Sequence, residues 1–265
     1  MKNIIRILKS INIKNIVVFL CFSISTYCLA ENKLDKTQEV YNPNITPKSK
    51  RSINITKYYR HYLIKQFSAK NLNLGAPVFI RIFKQSHQLE MWVKQKDKPT
   101  FILFKTYKIA KFSGTLGLKK AEGDRQAPEG FYFVTPNSLN PNSRFHLSFN
   151  LGFPNTYDRN KGYTGSALMV HGSNVSIGCF AMTNKQIEEI YTIVDSALSS
   201  GQPFFRVHSF PFHLTDDNIK KYAKSSHIDF WKNLKIGYDL FEKTHIPPNV
   251  NVKNGYYIFT NDSDD

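Results

Sequence analysis

The chain has 265 residues, of which 41% are hydrophobic, and its 36 Lys and Arg against 20 Asp and Glu give a formal net charge of +16. This excess of positive charge favours a polyanionic partner such as a cell-wall polymer, lipid head groups or nucleic acid, although it also serves solubility alone. The sequence contains no RNP-like, zinc-finger or repeat pattern, which argues against nucleic acid as the partner.

The first thirty residues have the pattern of a targeting segment. Basic residues precede an apolar run over residues 16–22, and the small residue Ala30 offers a site that signal peptidases accept. We therefore expect residues 1–30 to be a cleaved signal peptide, which makes the protein an exported one without a stable membrane span. A retained anchor is the alternative, but the apolar stretch is shorter than the ~20 residues that a spanning helix requires. Cleavage would remove four basic residues and no acidic one, so the net charge would fall from +16 to +12.

The polar residues 31–56 show no apolar periodicity and predict a flexible linker. A short amphipathic helix is predicted over residues 57–67, and a capping-box pattern at residues 183–186 predicts a second helix that ends before Gly201. Segments rich in β-branched and aromatic residues predict strands over residues 78–83, 88–93, 101–107, 131–134, 166–170 and 204–208.

Beyond the last of these strands, residues 214–240 indicate one or two further helices. Their Phe230, Trp231 and Leu234 form an apolar stripe that we expect to pack on the main domain. The sequence thus predicts a domain over residues 57–210 with a leading helix, followed by a helical C-terminal extension over residues 211–265.

Cysteine usage directs attention to one position. Cys21 and Cys28 would leave with the signal peptide, so that Cys179 is the single thiol of the mature chain and no intramolecular disulfide can form. In an oxidising compartment such a thiol is either buried and inert or exposed and used in a reaction.

Three features near Cys179 favour the second alternative. The predicted helix begins just after Cys179, and its free N–H groups would stabilise a thiolate. Gly178 leaves room for a substrate carbonyl to approach the backbone. His171 ends a predicted strand and is a candidate general base. The competing interpretation is a buried cysteine beside an ordinary core histidine.

The motif His171-Gly172 followed by Ser176-x-Gly178-Cys179 resembles the active-site signature of the L,D-transpeptidases of bacterial cell walls, the YkuD-domain family, and in particular its YafK-like branch. The resemblance covers roughly residues 75–245. It continues through residues 123–134, 141–159, 162–172 and 205–215.

The resemblance implies a mainly β domain with flanking helices, a β-sandwich or barrel-like architecture, and no cofactor. It implies an enzyme of the periplasm whose partners are peptidoglycan stem peptides. A thiolate would attack a carbonyl next to meso-diaminopimelate, and an amine would then take the acyl group from the enzyme. By this match Cys179 is the nucleophile and His171 the base, while Gly172, Ser173 and Ser176 shape the loop. The N–H groups of Gly178 and Cys179 would stabilise the oxyanion.

Two positions depart from the family pattern. Ile177 stands where most members have histidine, and Ala181 stands where arginine is common, so the imidazole chemistry falls on His171 alone. A substrate with free carboxylates still requires a cation. The candidates in the matching segments are Arg159, which we favour, Arg125 and Arg144, although each also suits a structural ion pair.

Other interpretations stay open at this point. The same chemistry ending in water would give a hydrolase or amidase that trims stems or releases an outer-membrane lipoprotein joined to diaminopimelate. A basic wall-binding module with a vestigial cysteine is the non-enzymatic alternative. A papain-like peptidase would place cysteine before histidine, and a zinc site on His171 and Cys179 lacks further ligands at suitable spacing.

Overall fold

A computed structural model describes residues 46–260. The predicted signal peptide, most of the predicted linker and residues 261–265 lie outside the described residues. The description that follows concerns the described part of the chain alone. None of its described helices has the length and apolar character that crossing a bilayer requires.

The described residues form eleven strands, five α-helices and a 3-10 turn at Pro136–Ser138. The helices are α1 (Lys50–Ser68), α2 (Thr156–Asn160), α3 (Asn184–Ser199), α4 (Asp216–Lys221) and α5 (Ile228–Thr244). The strands are β1 (Val78–Phe83), β2 (Gln88–Lys94), β3 (Phe101–Lys108), β4 (Gly130–Val134), β5 (Leu139–Asn140), β6 (Ser148–Asn150), β7 (Met169–His171), β8 (Phe180–Ala181), β9 (Phe205–Phe210), β10 (Asn249–Lys253) and β11 (Tyr256–Thr260).

The strands are arranged in three sheets. A five-stranded sheet has the order β3-β2-β1-β9-β4, a four-stranded sheet has the order β5-β6-β7-β8, and β10 and β11 form a hairpin. Only the pairs β1 with β9 and β7 with β8 are parallel among the described strands. The predicted fold class, mainly β with flanking helices, is confirmed.

The five-stranded sheet is covered on both faces. Alternate side chains of a strand point to opposite sides, and the two sides of this sheet belong to different apolar clusters. Ile80 and Val207 belong to the large cluster that includes the buried residues of α3. Phe83 and Phe210 belong to a second cluster with α5. The predicted stripe on α5 is confirmed as core, since Phe230, Trp231 and Leu234 are all buried there.

The structure corrects two boundaries of the sequence prediction. α1 begins at Lys50, seven residues before the predicted helix, because Ser49 and Ser52 form a reciprocal capping box. Residues 50–56 are therefore helical and do not belong to a linker. The C-terminal extension is not wholly helical, because Asn254-Gly255, with φ of 52° and 76°, makes the tight turn of the β10–β11 hairpin.

Candidate functional site

The parallel pair of β7 and β8 brings His171 and Cys179 to one face. Val170 lies opposite Phe180, and His171 lies opposite Ala181. Continuing this register places Cys179 opposite Met169, whose N–H donates to Cys179 Sγ at 3.4 Å. Met169 and His171 are two residues apart on one strand and share a face, so Cys179 shares that face with His171. Both residues line one cavity of about 640 Å³.

His171 ends β7 and is 1% exposed. Its Nδ1 is hydrogen-bonded to the Gly172 carbonyl oxygen. A carbonyl only accepts, so Nδ1 carries the proton, and in the neutral ring Nε2 keeps its lone pair. Burial lowers the pKa of His171, although the bond to Gly172 opposes this shift. The centroid of the His171 ring lies 4.6 Å from that of the Phe145 ring, so the imidazole is held between this ring and the Gly172 carbonyl.

Cys179 is 8% exposed, and its thiol lies within 3.5 Å of the Ala167 carbonyl. Burial raises the pKa of this thiol, while the Met169 N–H and the charge of Lys119 oppose the rise. Both shifts favour the uncharged forms, a thiol on Cys179 and a neutral imidazole on His171.

The expectation that a helix N-terminus activates Cys179 is wrong. β8 follows the cysteine, and α3 begins only at Asn184 with Thr183 as its N-cap. The field of a helix end falls off within its first turn. Gln186, in that turn, donates its N–H to the Thr183 side chain. The sequence pattern identified the cap correctly but not the strand that separates it from Cys179.

The loop before Cys179 is braced by Ser176. Its Oγ donates to the Cys179 carbonyl at 2.6 Å and accepts from the Gly178 N–H at 3.2 Å. Gly178 has φ of 136°, which favours glycine, and an added Cβ would lie 3.3 Å from Leu168. The Gly178 N–H is thus occupied at rest, and Ser176 sets the backbone on which the thiol sits.

The loop after His171 is fixed to the start of α3. Ser173, with φ of 67°, donates its N–H to Asn184 Oδ1 at 2.8 Å. Gly172 has no room for a side chain, because an added Cβ would lie 2.7 Å from the Phe145 carbonyl oxygen and 2.8 Å from Asn184 Oδ1. Asn184 is a supporting residue that sequence reasoning treated only as part of a helix cap.

The three candidate arginines lie in different places. Arg125 lines the cavity of Cys179. Arg159 lines a separate cavity, where its guanidinium donates to the Pro154 carbonyl and to Thr156 Oγ. Arg144 is exposed and lines neither cavity. The favoured candidate, Arg159, is therefore not placed at the thiol, and Arg125 takes precedence.

Sequence reasoning also missed charged residues that line the cavity of Cys179. Lys111, Lys119 and Glu122 join Arg125 there. Lys119 is 3% exposed and forms an ion pair with Asp124 at 2.6 Å. The cavity thus offers several cations and one carboxylate, which suits a ligand with carboxylates and an amine. Within residues 46–260 no group of three or more His, Cys, Asp or Glu could hold a metal ion.

A thiol and an oriented neutral imidazole that share a cavity rich in cations define a candidate site for nucleophilic acyl transfer by cysteine. Residues 77–208 match the family model for the YkuD L,D-transpeptidase catalytic domain. The chain is 50% identical over 185 residues to YafK of Escherichia coli K12, which is provisionally named an L,D-transpeptidase, and the match covers 70% of this chain and 74% of that protein. YafK of Escherichia coli O157:H7 matches equally. The chain belongs to the YkuD L,D-transpeptidase family, whose members act on peptidoglycan stem peptides.

Solved structures give weaker likenesses. The helical cell shape determining protein Pgp2 of Campylobacter jejuni, as a K307A mutant, is 18% identical with a TM-score of 0.42, covering 80% of this chain and 91% of that one. Bd1075 of Bdellovibrio bacteriovorus is 16% identical with a TM-score of 0.39, covering 68% and 78%. At these values the two structures add nothing to the assignment.

Proposed function

We propose that the protein is an exported, cysteine-dependent peptidoglycan enzyme that forms an acyl-enzyme at a carbonyl next to meso-diaminopimelate. The observation that supports this most strongly is the parallel β7–β8 pair. It sets Cys179 and His171 on one face of one cavity, with Nδ1 of His171 committed to the Gly172 carbonyl. Family membership supplies the substrate class.

The proposed chemistry moves one proton between sulfur and imidazole. Sγ of Cys179 bonds to the substrate carbonyl carbon while its proton passes to Nε2 of His171. The carbonyl oxygen takes the negative charge and is stabilised by the N–H of Cys179. The N–H of Gly178 adds to this once it leaves Ser176 Oγ. Collapse then breaks the C–N bond, and the departing amine takes the proton from Nε2.

The acyl group is now a thioester on Sγ, which an amine or water can attack. The attacking group gives its proton to Nε2, the C–S bond breaks, and the proton returns to Sγ. An amine of a second stem makes a crosslink. Water makes a hydrolase, whose products include trimmed stems or a released lipoprotein if one was joined to diaminopimelate.

Substrate binding is assigned to the charges of the same cavity. Arg125 and Lys111 would hold free carboxylates of the stem, and Glu122 would hold an amine. Lys119 is already paired with Asp124, and its proposed effect is to favour the thiolate as it forms.

Sacculi that carry bound lipoprotein test the proposal. Residues 31–265 and the Cys179→Ser variant are incubated with them in parallel, and the muropeptides are identified by mass spectrometry. New diaminopimelate-linked dimers made only by the active protein would establish a transpeptidase. Released lipoprotein or shortened stems without new dimers would establish a hydrolase. Identical products from the two proteins would refute an enzyme and favour a wall-binding module.

A second variant tests the base. His171→Gln retains a polar side chain but cannot take the thiol proton, so we expect turnover to fall by about 10²–10⁴-fold. Sacculus binding should not change. Turnover within a factor of two of the parent would contradict the role assigned to His171.

The first thirty residues are proposed to be the signal peptide that takes the protein to the cell envelope. N-terminal sequencing of the protein recovered from the periplasm should begin at Glu31. A chain that keeps its first residues and sediments with membranes would instead establish a retained anchor.

A further inference from the structure

A second cavity of about 580 Å³ lies apart from the thiol. It is enclosed by β4, β9, α2 and the β10–β11 hairpin, and it shares no lining residue with the cavity of Cys179. Its volume is in the range of small-ligand sites. The chemistry proposed at Cys179 involves none of the residues that line this second cavity.

Two guanidinium groups line this second cavity. Arg159 donates hydrogen bonds to the Pro154 carbonyl and to Thr156 Oγ, but it forms no ion pair within residues 46–260. A guanidinium has five N–H donors in a planar fork, so Arg159 keeps donors for a ligand. Arg206 donates to Asn249 Oδ1 and adds a second positive charge.

His208 also lines the second cavity, and its ring packs edge-on against the rings of Phe79 and Phe131. It is 1% exposed, and neither ring nitrogen has a hydrogen-bond partner among the described residues. Burial, reinforced by the charges of Arg206 and Arg81, lowers the pKa of His208 well below its ordinary value. A neutral ring offers one donor and one acceptor. Buried polar groups nearly always have a partner, so this pair of free nitrogens points to a ligand group.

The remaining wall of the second cavity indicates what kind of anion fits. Phe133 is 58% exposed and Phe204 is 36% exposed, which leaves aromatic surface open beside the arginines. A free phosphate would use only the charges, whereas a peptide carrying a carboxylate would cover the rings as well. The planar forks of the arginines match a carboxylate.

We propose that the second cavity binds a carboxylate-bearing peptide, with Arg159 and Arg206 holding the carboxylate and His208 pairing with a polar group of the same ligand. The inference goes beyond the proposed function and does not depend on Cys179. It gives the protein a second point of attachment to an acidic peptide such as a wall stem.

The test uses the Cys179→Ser protein with ¹⁵N-labelled histidine and a stem tripeptide ending in meso-diaminopimelate as the probe. The ring signal of His208 is assigned by its loss in His208→Gln, and it should shift saturably as tripeptide is added. Arg159→Gln should weaken this binding by about tenfold or more. Arg125→Gln, the matched change in the other cavity, should leave the His208 titration within a factor of two.

Three results would overturn the proposal. One is a His208 signal that does not respond to tripeptide. Another is an equal effect of Arg159→Gln and Arg125→Gln, which would place all binding in the cavity of Cys179. The third is an identical response to inorganic phosphate, which would make the site one for simple anions. Arg159→Lys guards against misfolding, because it keeps the charge and should bind more weakly than the parent but more tightly than Arg159→Gln.

Discussion

Replacing Lys84 by Met should destabilise the protein severely, because it breaks a fully buried ion pair. Lys84 and Glu129 are each 0% exposed in their side chains, with Nζ 2.9 Å from Oε1. Lys84 also donates to the carbonyls of Gly117 and Ala127, and Glu129 also accepts from Gly117 N–H and Trp231 Nε1. Removing the cation leaves a carboxylate buried without a counter-charge.

The expected cost is about 3–5 kcal/mol, the usual penalty for breaking a buried pair. For a domain of this size that lowers the melting temperature by roughly 6–20 °C. Urea unfolding followed by circular dichroism measures the change. Lys84→Met with Glu129→Gln should recover more than half of the loss, because neither charge then remains buried alone. Lys235→Met is the control, since its partners Asp216 and Asp239 are exposed, and it should cost less than about 1 kcal/mol. A loss below 1 kcal/mol for Lys84→Met, or no recovery in the double variant, would refute the reasoning.

Three further predictions concern titratable groups. Burial raises the pKa of Cys179, so the rate of its alkylation by iodoacetamide should keep rising with pH through and beyond ~8.5, the pKa of a free thiol. A rate that already reaches its plateau at pH 6 would contradict a neutral resting thiol. Lys119→Met removes a charge that lowers this pKa, so the same alkylation profile should move to higher pH, and an unmoved profile would exclude the proposed effect of Lys119. Burial raises the pKa of Asp158 to about 6, so its contribution to stability is present at low pH and is lost as the pH rises through 6. The difference from an unfolded value near 4 corresponds to roughly 3 kcal/mol, and Asp158→Asn should flatten the stability profile between pH 4 and 7 in urea titrations.

Much of the sheet could be predicted from local patterns. Residues 78–83, for example, are β-branched or aromatic except for Arg81, and β1 is buried along its whole length. A cap at Thr183 and an apolar repeat after it predict a helix, and α3 has that cap and buries that repeat. These features are predictable because each depends on neighbours in sequence.

Of the two corrected segments, one carries a clear local signal and the other depends in part on a contact from elsewhere in the fold. Asn254-Gly255 between alternating apolar residues is a strong hairpin pattern, and it indicates a turn where the helical prediction for residues 211–265 has none. The start of α1 is capped by Ser49, and this cap can be predicted from the sequence. The ion pair of Lys48 with Asp195 of α3, next to the same cap, cannot be predicted from local sequence.

The position of the arginines could not be predicted, because it depends on which sheet edge each loop meets. Arg125 and Arg159 both lie in segments that resemble the family. Even so, Arg125 lines the cavity of Cys179, and Arg159 lines the cavity that the β10–β11 hairpin helps to form. A motif identifies the nucleophile because its residues are close in sequence, whereas the substrate cations come from distant segments.

The buried Lys84–Glu129 pair and the Cys179 thiol are connected through one segment of the chain. The segment from Gly117 to Ala127 is fixed at both ends by Lys84, which donates to both terminal carbonyls. Between these ends lie Lys119, which lowers the pKa of Cys179, and Arg125, which lines the same cavity. In the proposed reaction a neutral thiol and a neutral imidazole develop charge during attack, and we expect the cations of this segment to stabilise that charge. A partial loosening of the Lys84 anchor should therefore slow acylation even at temperatures where the fold persists.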